Sequence, residues 1–111
     1  MKVPNCQNAE VSKSKIVDYL LSARHPEGGS KARFFFGWGF TTEAWGVLAS
    51  ALTKQINEND YLEVVEGRHG IKYIVVASIE SPKGKTSAVK TIWMIAKGSK
   101  KPRLITAYPS T

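Results

Sequence analysis

The chain has few of the residues that form covalent or metal cross-links. Its 111 residues include one cysteine, Cys6, and two histidines, His25 and His69. A single cysteine excludes an internal disulfide, and one thiol with two imidazoles cannot complete a closed zinc site without carboxylates. We therefore expect no disulfide, no metal and no other cofactor.

Long apolar runs are also missing. No stretch approaches the roughly 20 apolar residues of a membrane-spanning helix. The N-terminus lacks the apolar segment of a secretory signal. These absences argue against a membrane protein and favour a cytoplasmic location.

Acidic residues are outnumbered by basic ones. The chain carries 9 Asp and Glu against 16 Lys and Arg, for a net charge of +7 and a pI of about 9.7. Such an excess in a short chain favours nucleic acid or another polyanion as a partner. The alternative is a lysine-rich surface that serves solubility.

The length and the 42% hydrophobic content suit one domain with one core. Residues 1–11 are polar and predict an irregular N-terminal arm, and residues 12–111 predict a single α+β domain. Apolar residues recur at helical spacing twice before Asn57, which predicts two helices. The stretch 32–36 is compatible with either a short helix or a brief strand.

After Asn57 the pattern changes to alternation. Four strand-length runs, at 61–66, 71–79, 86–97 and 103–108, are separated by short turns, which predicts a four-stranded antiparallel meander. We expect both helices to pack on one face of this sheet. The residues expected to meet in the core are Trp45, Leu48, Leu52, Val75, Ala77 and Trp93.

A polar loop, HPEGGSK at residues 25–31, follows the first predicted helix. It holds the imidazole of His25, the hydroxyl of Ser30 and the ammonium of Lys31 beside two glycines. Mixed polar loops anchored to a core often carry functional sites. The alternative is an ordinary connection between helices.

The last strand offers two hydroxyl groups. Simple alternation places Thr106 and Tyr108 on one face together with Leu104. Such a pair is compatible with a site, and equally with the half-buried face of an edge strand.

Two motifs give the chain a recognisable resemblance. HPxGxSKA at residues 25–32 and PRLxTAYP at residues 102–109, with Trp93 in a late strand, resemble an uncharacterised family of bacterial domains. That family is similar to the toxins of the barnase, EndoU, colicin and RelE (BECR) superfamily. The resemblance implies a BECR-like fold and a small metal-independent ribonuclease toxin, with tRNA or mRNA as candidate substrates. It also implies an acidic antitoxin or immunity protein as partner.

Metal-free RNA cleavage needs a base, an acid and a cation at the phosphate. We expect His25 to transfer protons, Lys31 to stabilise the phosphorane, and Thr106 and Tyr108 to orient the phosphate or donate a proton. Ser30, Arg68, His69 and Arg103 are candidates for binding RNA, although Arg68 and His69 also suit a solvated hairpin tip.

Two other functions fit the same sequence. One is a non-catalytic module that binds RNA or a protein through the basic surface. The other is an antitoxin-like or immunity-like protein, which the positive charge disfavours if the toxin is itself basic. An enzyme should bring His25, Lys31, Thr106 and Tyr108 into one cleft, whereas a binding module need not.

Overall fold

The structure, a computed structural model, describes residues 1–22 and 29–110. Helices precede a sheet of four antiparallel strands, as predicted. The elements are a 3-10 turn (Cys6–Asn8), α1 (Lys13–Lys15) continuing into a π-helical segment (Ile16–Leu20), α2 (Gly29–Gly37), α3 (Trp45–Glu58), β1 (Glu63–Gly67), β2 (Gly70–Glu80), β3 (Thr86–Ala96) and β4 (Arg103–Pro109). The α+β class is confirmed, and α2 resolves the stretch left open between helix and strand.

The sheet is a meander with the order β1-β2-β3-β4. Each strand pairs antiparallel with the next, through turns at the predicted positions. Gly70 is required at the first turn, because a Cβ there would lie 2.3 Å from the carbonyl oxygen of Ile95. The meander leaves β1 and β4 as its two edge strands.

One sheet face, here called the core face, packs against α3. Leu48 and Leu52 of α3 are fully buried against Val75 and Trp93 of the sheet, as predicted. The prediction was too strong for Trp45 and Ala77, which are only half-buried. Trp45 opens α3 and packs against the edge of the core while remaining partly exposed. No helix within the described residues is long and apolar enough to cross a membrane.

A buried chain of hydrogen bonds joins α3 to the sheet. Trp93 Nε1 donates to Thr91 Oγ1 (2.8 Å), which donates to Gln55 Oε1 (2.6 Å). The Gln55 amide nitrogen then donates to the carbonyls of Ala77 and Val89, at 2.9 and 2.8 Å. The polar side-chain groups of Trp93, Thr91 and Gln55 therefore all have hydrogen-bond partners, which avoids the cost of burying them unpaired.

We predict that Thr91→Val lowers the free energy of unfolding by about 1–3 kcal/mol, because it leaves the buried Trp93 N–H and the Gln55 Oε1 without a hydrogen-bond partner. Urea denaturation measures this loss. The matched control is Thr86→Val at the exposed start of β3, expected within about 0.5 kcal/mol of the wild type. Equal effects of the two substitutions would contradict the role given to Thr91.

Candidate functional site

A β-bulge in β4 decides which side chains leave the core. Ile92 pairs with Thr106 and Trp93 pairs with Leu104, so Ile105 is the extra residue between them. An extra residue reverses the alternation beyond it. Leu104 therefore joins the buried core face, and the prediction that it shares a face with Thr106 and Tyr108 was wrong.

Thr106 and Tyr108 lie on the opposite side of the sheet, here called the outer face. Their β3 partners are Ile92 and Lys90, which alternate with the buried residues Val89, Thr91 and Trp93. All four outer-face residues are half-buried. Lys90, in the middle of a strand, thus brings an ammonium group beside Tyr108.

The N-terminal segment runs along the free edge of β4. Glu10 forms a parallel bridge with Arg103 and exchanges backbone hydrogen bonds with Pro102 and Leu104, at 2.8 and 3.0 Å. Ser12 then caps α1, its hydroxyl accepting from Lys15 N at 3.1 Å. The helical stretch that follows therefore starts beside β4.

The π-helical segment places Tyr19 at this edge. Its wide turn closes with Leu21 N donating to Ile16 O at 2.7 Å, and such turns are frequent at functional sites. Ile16 and Leu20 are buried in the core, whereas Tyr19 is half-buried. The Tyr19 hydroxyl reaches Thr106 Oγ1 at 3.3 Å.

Lys31 from α2 completes a three-element contact. Its Nζ donates a hydrogen bond to Tyr19 Oη at 2.5 Å. The same Nζ lies 5.8 Å from the ring centroid of Tyr108. Side chains from the π-helical segment, α2 and β4 therefore meet at one point.

Two more lysines flank the tyrosine rings. Lys15 Nζ lies 4.9 Å from the Tyr19 centroid, and Lys90 Nζ lies 5.7 Å from the Tyr108 centroid. Both distances are within cation–π range. We call the six residues Lys15, Tyr19, Lys31, Lys90, Thr106 and Tyr108 the lysine–tyrosine cluster.

Burial sets these three lysines apart. All twelve lysines of the chain lie in the described part, and Lys15, Lys31 and Lys90 are the ones that are half-buried rather than exposed. Within residues 1–22 and 29–110, no carboxylate lies at ion-pair distance from them. Three half-buried lysines without an acidic partner among the described residues create a positive patch, which suits an anion.

Comparison with known proteins gives the chain a family. A family model described as a domain of unknown function, DUF6883, matches residues 2–111. The chain belongs to the DUF6883 family. No curated protein matches it in sequence.

A solved structure shares the fold of this DUF6883 chain. It is a chain of the contact-dependent growth inhibition toxin–immunity protein complex from Klebsiella pneumoniae 342, with a TM-score of 0.72 and 19% identity. The alignment covers 96% of this chain and 97% of that chain. At this identity the similarity establishes a common fold.

Of the four residues expected to act in catalysis, the structure brings three together. Lys31, Thr106 and Tyr108 lie in the lysine–tyrosine cluster. His25 lies outside the described residues, as does the side chain of Ser30, which belongs to the first turn of α2. Lys31, the last residue of the HPEGGSK segment, therefore lies near the end of β4.

The other candidate RNA-binding residues lie elsewhere. Arg68 and His69 are exposed in the β1–β2 turn. Gly70 pairs with Ala96, whereas Lys90 pairs with Tyr108, so this turn is roughly 20 Å from Tyr108 along the strands. The structure does not bring Arg68 and His69 to the lysine–tyrosine cluster.

Arg103 has an intermediate position. It is exposed at the start of β4 and lines a groove of about 340 Å³ that also contacts Lys15, Ser12 and Glu10. Lys15 is the member of the lysine–tyrosine cluster that lines this groove, and Glu10, another lining residue, forms an ion pair with Lys101 at 3.4 Å. Arg103 therefore borders the cluster without belonging to it.

Three residues of the cluster, Lys15, Tyr19 and Lys90, were not predicted from the sequence. Tyr19 lies on the apolar face of the first predicted helix, and Lys15 lies just before that face, so neither suggested a site. Lys90 did carry a signal, since a lysine in the middle of a β-rich run has to emerge on the less buried face. Tyr19 carried a weaker one, because a buried phenol needs a hydrogen-bond partner.

The described residues contain no group of three or more His, Cys, Asp or Glu side chains arranged to hold a metal ion. What the cluster does offer is ammonium and hydroxyl groups. These donate hydrogen bonds to oxygen anions such as phosphate.

We predict a measurable coupling between Tyr19 and Thr106. A double-mutant cycle of Tyr19→Phe and Thr106→Val, followed by chemical denaturation, should give a coupling energy of about 0.5–1.5 kcal/mol for their hydrogen bond. The control cycle pairs Tyr19→Phe with Thr86→Val, at the distant hairpin end of β3, and should be additive within about 0.5 kcal/mol. Additivity in both cycles would show that the hydroxyls do not interact.

Proposed function

We propose that this DUF6883 chain is the toxin of a toxin–immunity pair and acts as a metal-independent endoribonuclease of the BECR type. The observation that carries the proposal is the contact of Lys31 Nζ with Tyr19 Oη, which in turn reaches Thr106 Oγ1. This contact joins the two sequence motifs in space. The BECR assignment rests on those motifs and on the layout of helices before a four-stranded antiparallel meander.

Charge favours the toxin role over the immunity role. The similar fold belongs to a chain of a complex that contains a toxin and an immunity protein. A net charge of +7 suits a protein that approaches RNA, and calls for an acidic inhibitor to cover the same surface. RNA as the target makes the cytoplasm the place of action.

The proposed reaction is a transesterification within RNA. A base removes the proton of a ribose 2′-hydroxyl, and the oxygen forms a bond to the adjacent phosphorus. The bond from phosphorus to the 5′-oxygen breaks, and an acid protonates that oxygen. The products are a 2′,3′-cyclic phosphate and a free 5′-hydroxyl.

The cluster supplies the electrostatic part of this reaction. The Lys31 ammonium stabilises the extra charge on the phosphorane oxygens, where a half-buried cation acts more strongly than one in water. Thr106 and Tyr108 orient the phosphate from the outer face of β4. Tyr19 holds Lys31 and Thr106 together through its hydroxyl, so it is a positioning residue.

Proton transfer is assigned to His25. An imidazole near its unperturbed pKa can serve as base or acid at neutral pH. His25 lies six residues before Lys31 in the same motif. We propose that it acts on the 2′-hydroxyl or on the 5′-oxygen at the phosphate held by Lys31.

We predict that purified protein cleaves total RNA and that EDTA does not inhibit it. His25→Ala should abolish cleavage while leaving the free energy of unfolding nearly unchanged. Lys31→Ala should slow cleavage by about 10²–10³-fold and weaken RNA binding, because it removes the charge that stabilises the transition state. Gel analysis of the RNA and filter binding measure the two effects.

The matched control is Lys54→Ala, which removes the same charge from the exposed surface of α3. It should leave cleavage within about twofold of the wild type. Tight RNA binding with no cleavage by the wild type would instead support the alternative, a non-catalytic basic RNA-binding module. Cleavage that survives Lys31→Ala undiminished would exclude the cluster as the site.

A further inference from the structure

The lysine–tyrosine cluster holds more cations than one reacting phosphate requires. Taken by their contacts, its ammonium groups and rings follow the order Lys15, Tyr19, Lys31, Tyr108 and Lys90, in which each ring centroid lies within 6 Å of two ammonium groups. Lys31 is the central member because it contacts both rings. The outer two, Lys15 and Lys90, have no role in the reaction proposed above.

We propose that these three lysines bind three phosphates of one RNA strand, the scissile phosphate at Lys31 and one on each side at Lys15 and Lys90. The inference rests on the proposed function for the identity of the central phosphate. The outer lysines are binding residues that determine the length of substrate recognised.

The distances suit a single strand. Lys15 and Lys31 both lie within 5 Å of the Tyr19 centroid, and Lys31 and Lys90 within 6 Å of the Tyr108 centroid. Neighbouring ammonium groups are therefore at most about 12 Å apart. This upper limit allows each ammonium group to contact a different phosphate of one strand, one or two nucleotides apart.

The positions of the outer two lysines also favour a flexible strand. Lys15 stands beside the free edge of β4, whereas Lys90 projects from β3 on the outer face. A strand that contacts both has to bend around the sheet edge. Proteins usually bind single-stranded nucleic acid with a positively charged groove that also contains aromatic side chains.

Burial supports a built phosphate path rather than a diffuse basic surface. The nine remaining lysines are exposed, whereas these three are half-buried and lie beyond ion-pair distance of any carboxylate within residues 1–22 and 29–110. Three ammonium groups held close together repel one another, which opposes folding. A bound chain of phosphates relieves that repulsion.

The test compares a dinucleoside monophosphate with a hexanucleotide that contains the same step. Wild-type kcat/KM should be higher for the hexanucleotide, because contacts outside the reacting bond lower the barrier. Lys15→Gln and Lys90→Gln should each reduce the ratio of hexanucleotide to dinucleotide kcat/KM by about tenfold, as expected for one charge-assisted contact. Lys15→Arg and Lys90→Arg should restore it, and Lys54→Gln should leave it unchanged.

A binding experiment distinguishes failure of this inference from failure of the proposed activity. The probe is an all-2′-deoxy hexanucleotide, which cannot undergo the transesterification. Each of Lys15→Gln and Lys90→Gln should reduce the slope of log K against log salt by about 0.7, one phosphate contact on a single strand. This result would support the phosphate path even if no RNA were cleaved.

Three outcomes would overturn the inference. The first is an equal loss of kcat/KM for the dinucleotide and the hexanucleotide. This would mean that the two lysines act at the reacting phosphate or only stabilise the fold. The second is an equal reduction of the kcat/KM ratio in Lys54→Gln, which would show that the effect comes from the net charge of the protein rather than from these two positions. The third is an unchanged salt slope. Thermal unfolding of each variant confirms that the compared proteins are folded.

Discussion

The hydrogen-bonded chain from Trp93 through Thr91 to Gln55 is the constraint on which the architecture depends. It fixes α3 against β2 and β3 at a position where every partner is buried. Apolar packing alone tolerates small shifts of a helix over a sheet, whereas a buried polar group has to meet its partner within hydrogen-bond distance. These hydrogen bonds fix which face of the sheet α3 covers. They therefore also fix which face is left for the lysine–tyrosine cluster.

The second constraint is the bulge at Ile105. Without it, one continuous alternation would place Leu104 on the same side as Thr106 and Tyr108, so either the core would lose Leu104 or the site would lose its hydroxyls. One extra residue lets β4 bury Leu104 on the core face and still place Thr106 and Tyr108 on the outer face. The same edge strand accepts the N-terminal segment through Glu10, which brings α1 and Tyr19 to the hydroxyls.

The cluster has the character of a site that stability alone would not select. Its three half-buried lysines repel one another, since Lys15 and Lys31 share the ring of Tyr19 and Lys31 and Lys90 share that of Tyr108. A structural tie between the π-helical segment, α2 and β4 would need only the hydrogen bonds of Tyr19. The excess positive charge supports the anionic ligand proposed above, in keeping with the common trade between stability and function.

The sequence by itself determined the fold class, the turns and most of the core, because spacing and turn chemistry are local properties of the chain. It also singled out Lys31, Thr106 and Tyr108, although not the neighbours that make them a cluster. Tyr19 and Lys90 join the cluster only through the edge pairing of β4 and the register of β3. Arg68 and His69 are placed far from the cluster by that same register, and the face of Leu104 is decided by the bulge. These features depend on contacts between residues distant in sequence, which only the tertiary structure brings together.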